Sequence, residues 1–235
     1  MRDNLGPPYA ELERGFADAR EVASGVAGVL RIGIYSRVSC GPHWLSIVRT
    51  FKTRHPGYDV EIIDTSFGRN YLAALRGNEV DVLATRLPLS DDDMTVGPIL
   101  SSEPRVLLVA QDDPLAERDS VPVEDFAGRA IGDAPSFPRE LMDAFFPPSS
   151  PSGRAFPRIT VRSFEELLML VAAGKNVHPT VASFPNHCAL HGIAHVPISD
   201  LPPSETAIVW LSTNRSEISR AFAQAAADVL GPRDQ

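Results

Sequence analysis

Residues 29–63 read VLRIGIYSRVSCGPHWLSIVRTFKTRHPGYDVEII, and the order of apolar residues in this stretch decides the fold. Val29-Leu30-Arg31-Ile32-Gly33-Ile34 alternates in the manner of a strand. Trp44, Leu45, Ile47, Val48 and Phe51 return at helical spacing until His55-Pro56-Gly57 stops them, and Val60-Glu61-Ile62-Ile63 resumes strand character. Strand, helix and strand in this order make a βαβ unit, because two parallel strands need a crossover of about this length.

The pattern continues toward the C-terminus. A helix around Tyr71, Leu72 and Leu75 ends at Gly77, and Val80-Asp81-Val82-Leu83-Ala84 reads as a buried strand. Arg105-Val106-Leu107-Leu108-Val109-Ala110 is a further strand, and Asp112 to Ala116 reads as a turn. Pro147 to Gly153 reads as a surface loop rather than a linker. Ile159-Thr160-Val161 has strand character, and Ser163 with Glu166 forms a capping box for the apolar helix Leu167 to Ala173, which Gly174 closes. Short strands are expected at Val181 to Phe184, Ala194 to Ile198 and Ala207 to Leu211, followed by an amphipathic helix carrying Ile218, Phe222, Ala225 and Val229. Alternating helices and strands predict an α/β fold with a mainly parallel sheet.

Toward the N-terminus, Tyr9, Leu12, Phe16, Ala19, Ala23 and Val26 alternate spacings of three and four, the seam either of an amphipathic helix lying on its own domain or of a connecting helix suited to dimerisation. The segment Met1 to Pro8 lacks the apolar core of a signal peptide, and no run reaches the roughly twenty apolar residues of a membrane span. With Cys40 and Cys188 as the chain's two cysteines, a disulfide framework is excluded and a reducing, cytoplasmic setting is expected. A net charge of −8 opposes any grip on a phosphate backbone by these residues themselves.

In open α/β sheets, ligands sit beyond the carboxyl ends of strands, where helix N-termini present unpaired N–H groups. That rule selects Ser36, Arg37, Val38 and Ser39 after the first strand; Ser66, Phe67 and Arg69 after the second; Thr85 and Arg86 after the third; and Pro135 and Ser136 farther on. The serines serve equally well as helix caps. Arg86 ends an apolar strand, where its guanidinium suits a carboxylate, the competing account being an ion pair with Asp91, Asp92 or Asp93. His187, His191 and His195 beside Cys188 suggest a metal face, but Gly192 breaks the helix and four convergent ligands are missing, so no metal or cofactor is expected. Cys40 opens a helix and is either an activated thiol or a small buried residue. No nucleophile elbow, His-Glu-x-x-His or phosphate loop occurs, so no enzymatic activity is expected.

The strings Leu30-Arg31-Ile32-Gly33, Phe51 with His55-Pro56 and Val60-Glu61-Ile62, Leu75 with Gly77 and Asp81, Asp113-Pro114-Leu115-Ala116 and Leu170-Val171-Ala172-Ala173-Gly174 occur in an order that resembles the effector-binding domain of LysR-type transcriptional regulators. The resemblance implies two Rossmann-like lobes with a ligand cleft between them, as in type-two periplasmic binding proteins. It maps residues 29–102 and 205–235 to one lobe and 103–204 to the other, with 1–28 as the linker helix. It further implies a homodimer or higher homo-oligomer, and DNA contacted only through an N-terminal reader that this chain does not carry; Arg86 and Arg37 with Phe67 make a small anionic effector, a carboxylate and aromatic or not, the expected ligand. A free-standing cytoplasmic binding protein of the same fold is the alternative. Where the family continues the Val-Ala-Ala-Gly string with glycine and an apolar run into proline, this chain has Lys175-Asn176-Val177-His178-Pro179-Thr180, and His178 therefore joins the ligand-binding candidates.

Overall fold

The computed structural model describes residues 28–65, 71–133, 137–187, 191–214 and 216–232. The seam from Tyr9 to Val26, together with Ser66, Phe67, Arg69, Pro135, Ser136 and Cys188, lies outside them.

The chain divides into two compact units: one takes the chain up to Thr85, Ser90–Ser101 and the chain from Thr206 onward, and the other takes Arg86–Leu89 and Ser102–Glu205. In the first unit, β1 (Gly28–Ile34) pairs in parallel with β2 (Tyr58–Asp64) and with β3 (Val82–Arg86). Adding β4 (Met94–Glu103) and β10 (Ser204–Leu211) gives a sheet of order β2-β1-β3-β10-β4 among the described residues. Helix α1 (Trp44–Arg54) supplies the first crossover, α2 (Tyr71–Arg76) the second, and α5 (Glu217–Leu230) packs against α1. Phe51 and Phe222 meet edge to face at 5.5 Å in a core that includes Leu30, Ile32, Ile47, Val82 and Ile208. Each such fully buried side chain contributes about 1.5–3 kcal/mol.

Two of the sequence strings have local explanations here. Asp81 extends the pairing of β1, because its carboxylate accepts the Arg31 N–H at 2.8 Å while its own N–H donates to the Arg31 carbonyl at 2.9 Å. A Cβ on Gly33 would lie 2.8 Å from Leu83 Cδ1 and 3.1 Å from Thr65 Cγ2, so any side chain there would force its neighbours to shift.

The second unit is built differently. β5 (Arg105–Ala110) lies between β8 (His178–Val181) and β9 (Ile193–Pro197), and both pairings are antiparallel. The expected parallel sheet therefore holds for β1 to β3 but not for these strands. β6 (Ile131–Asp133) and β7 (Arg158–Thr160) pair in parallel, and an isolated bridge joins Ile131 to Val177. Helices α3 (Arg139–Phe145) and α4 (Phe164–Ala172) complete the unit, whose core includes Leu107, Phe126, Met142, Phe146 and Val196. The strand expected at Val181 to Phe184 in fact runs from His178 to Val181, and Phe184 opens a 3₁₀ turn. Polar His178 and Thr180 with Pro179 hide an edge-like strand from a reading based on apolar runs. The strand β4 was not expected at all, because Gly97 and Pro98 interrupt its pattern; Gly97 is required there by Trp210, which would meet a Cβ at 2.4 Å.

Candidate functional site

In the first unit the C-terminal ends of β1 and β3 can be followed, while the candidates expected after β2 lie outside the described residues. Ser36 caps a 3₁₀ turn at Arg37–Cys40, its Oγ accepting the Val38 N–H at 3.3 Å, and Ser39 Oγ donates to the Ser36 carbonyl at 2.6 Å. Both hydroxyls are thus engaged locally, Val38 and Ser39 are buried, and Arg37 is exposed. Cys40 is buried too, and desolvation pushes its thiol up to about 11, against the neighbouring Ser39 hydrogen bond and Arg37 charge. Too little thiolate exists near neutral pH for the activated-thiol reading. Thr85 at the end of β3 and Thr65 just after β2 each bury a hydroxyl with no hydrogen-bond partner. Thr65 was missed by sequence reasoning, although a hydroxyl at the end of a parallel strand is the signal that selected Ser36.

The second unit gathers the charged candidates. Arg86 is only 6% exposed; its Nη1 donates to Ser204 Oγ at 2.9 Å, and its guanidinium lies 4.5 Å from the centroid of the Phe145 ring. Arg105 stacks on the same ring at 3.9 Å, while its Nε and Nη2 donate to the carbonyls of Thr180 and Phe145. Of the three acids in the competing account, Asp91 and Asp93 pair with Arg76, at 2.5 and 2.8 Å. Among the described residues Arg86 has no carboxylate partner.

His178 sits beside these two arginines. Its ring lies 5.1 Å from Phe146 and 6.5 Å from Phe184, and its Nδ1 has no partner. Burial, reinforced by the charges of Arg105 and Arg86, holds its pKa down at about 3, so the imidazole is neutral. Two residues earlier, Asn176 is buried with both amide atoms unpartnered. The structure therefore brings together Arg86 and His178 with Arg105, Ser204 and Phe145, and sequence reasoning selected none of the last three. Arg105 had a signal: it is the lone cation at the head of an otherwise apolar strand. Ser204 and Phe145 had none, since only the tertiary fold joins residues so distant in sequence.

The histidines that suggest a metal face do not share a helix: His187 follows a 3₁₀ turn, and His195 lies in β9 opposite Leu108. Among the described residues no cluster of three His, Cys, Asp or Glu side chains could hold a metal ion.

This fold has parallels among known proteins. Residues 23–231 match the family model described as the LysR substrate binding domain. The chain belongs to that family. LysR domains of this kind are the regulatory, effector-binding parts of transcription factors, with the fold of type-two periplasmic binding proteins. Among solved structures, the BenM effector binding domain with its effector benzoate is 21% identical, with a TM-score of 0.63 over 86% of this chain and 91% of that one. Full-length CbnR complexed with its target DNA is 15% identical, with a TM-score of 0.68 over 97% of this LysR domain and 79% of that chain. A full-length OxyR from Pseudomonas aeruginosa is 20% identical, with a TM-score of 0.64 over 92% and 76% of the two chains. At these identities the likeness shows the fold. No curated protein sequence matches the chain.

Proposed function

We propose that this LysR domain senses a small carboxylate effector, held at Arg86, and passes its occupancy to DNA binding through the packing of a dimer, without catalysing any reaction. The observation that carries this reading is a buried guanidinium with no carboxylate partner among the described residues. A cation taken out of water costs several kcal/mol unless an anion or full hydrogen bonding offsets it, and among the described residues Arg86 meets a hydroxyl and a ring face. A carboxylate suits the two-pronged donor of a guanidinium, and a neutral His178 beside it accepts an anion's neighbourhood without needing a counter-ion of its own. BenM's effector, benzoate, is a carboxylate, which agrees with this chemistry. An effector that binds one domain state more tightly than another shifts their populations, and an attached DNA reader is biased by the result. The domain acts in the cytoplasm in this reading, and no described helix is long and apolar enough to cross a membrane.

Calorimetric titration with small aromatic and aliphatic carboxylates tests the proposal. Charge-assisted hydrogen bonds contribute roughly 1.5–3 kcal/mol, so Arg86→Ala should weaken the best-bound carboxylate about tenfold to a hundredfold. Arg86→Lys should recover only part of this, since an ammonium keeps the charge but loses the fork. Unchanged affinity in Arg86→Ala, with a melting temperature several degrees lower, would make Arg86 a structural residue.

A further inference from the structure

The run Lys175-Asn176-Val177-His178-Pro179-Thr180 is where this chain parts from the pattern of the family, and among the polar side chains that make the difference the structure buries Asn176 and His178. Asn176 is 3% exposed, and neither its Nδ2 nor its Oδ1 has a partner. His178 leaves Nδ1 unpartnered. A carboxamide offers two donors and an acceptor, and an imidazole one nitrogen of each kind when neutral. Buried groups of this sort are almost always hydrogen-bonded, and each orphan calls for a cause.

Their placement is defined by the chain. Gly174, at φ +65, turns the backbone out of α4; Val177 then bridges to Ile131 and His178 begins β8. The Asn176 amide lies against β6, where a Cβ on Gly132 would stand 3.4 Å from Nδ2 and 2.4 Å from Leu167. Two residues of extended chain span about 7 Å, so the amide and the imidazole stand within the reach of one small molecule. His178 also lies beside Arg86, whose charge acts on its ring. Asn176, His178 and Arg86 are thus three buried polar side chains of one unit, the first two with unpartnered atoms and the third with no carboxylate partner among the described residues.

We infer that Asn176 and His178 select the ligand of this domain, and that the ligand carries, besides its carboxylate, a group able both to donate and to accept a hydrogen bond, such as a hydroxyl or a carboxamide. The inference rests on the carboxylate reading of Arg86 and names the chemistry at the other end of the same molecule. A plain carboxylate such as benzoate leaves the amide and imidazole orphaned; a hydroxy acid or amide acid satisfies them. An apolar side chain at 176 removes the demand.

The test pairs plain and substituted carboxylates: benzoate with its monohydroxy derivatives and its carboxamide derivatives, and propanoate with lactate. Each is titrated by calorimetry into the native 235-residue chain, Asn176→Leu, His178→Phe and Arg86→Ala. The native chain should bind at least one substituted acid about tenfold more tightly than its parent, the discrimination one satisfied hydrogen bond supplies. Asn176→Leu should bring that pair to near equality while melting no lower than the native chain, since it removes an unsatisfied amide. Arg86→Ala should weaken both members in proportion. Equal affinities within every pair in the native chain would overturn the inference and leave the carboxylate reading standing. A preference that survives in both Asn176→Leu and His178→Phe would overturn it as well. So would a melting temperature several degrees lower in Asn176→Leu with the preference intact, which assigns the amide to internal structure. If none of these acids binds, the carboxylate reading fails and takes the inference with it.

Discussion

At the scale of single residues, the chain places polar groups where solvation cannot reach them, and His178 gives this a measurable signature. Its folded pKa is held at about 3, below the ordinary 6.5, chiefly by burial and then by Arg105 and Arg86. Between those values the unfolded chain binds a proton that the folded chain refuses. Stability therefore rises with pH in this window and is lost as pH falls below 6.5. Each step of one pH through the window changes stability by about 1.4 kcal/mol, so the loss at pH 5 amounts to roughly 2 kcal/mol relative to neutral pH. Denaturant titrations of the native chain and of His178→Phe, compared at pH 7.5 and pH 5, isolate this contribution because every other histidine is common to both. The native chain should lose about 2 kcal/mol more than the variant. Parallel losses in the two would show that the ring charges in the folded state. Arg86 was legible as a candidate from its place at the end of an apolar strand. That its rivals for a partner, Asp91 and Asp93, belong to Arg76 was not, since sequence proximity treats both arginines alike.

At the scale of elements, local chemistry explains most boundaries. Ser163 caps α4, its Oγ accepting the Glu166 N–H at 3.0 Å. Glu166 departs from the capping-box pattern: its carboxylate reaches back to the N–H of Arg162, at 2.8 Å, and not to that of Ser163. The cap therefore depends on the serine hydroxyl, and Ser163→Ala should cost about 1 kcal/mol while Ser163→Asp should restore most of it. Urea unfolding measures this as a lowered midpoint at unchanged slope. An alanine variant with the native midpoint would show that the hydroxyl adds nothing. Caps and glycine stops of this kind were readable because they act within a few residues. Elements that failed to read were those whose reasons are distant: β4, where Gly97 answers to Trp210, and β8, whose Leu108–His178 and Val106–Thr180 pairs alternate polar residues against an apolar neighbour. The same holds for the site. Its strand-end loops follow from the βα pattern, whereas Asn176, Ser204, Phe145 and Thr65 gain meaning only from what the fold sets beside them.

At the scale of the whole molecule, charge decides what the chain does with DNA. It carries 22 Lys and Arg against 30 Asp and Glu, and many of the cations are already neutralised in place: Lys52 by Asp59, Arg54 by Asp228, Arg76 by Asp91 and Asp93, Arg139 by Asp133 and Arg162 by Glu166. Duplex binding draws its strength from cations that displace condensed counter-ions, one for each phosphate contacted. A surface whose arginines are paired must break those pairs before it gains any such contact, and its net charge of −8 repels the duplex on approach. The CbnR structure holds its target DNA as a full-length regulator, of which this chain aligns with 79%. The 235-residue chain by itself should therefore leave a duplex of about thirty base pairs unretarded in a gel at physiological salt, with or without a bound carboxylate. A true interface neutralising six to ten phosphates loses roughly a thousandfold to a hundred-thousandfold in affinity between 50 and 200 mM salt, so a salt series separates it from weak adhesion. A retarded band that depends on the DNA sequence and fades along that steep slope would show that these residues read DNA directly.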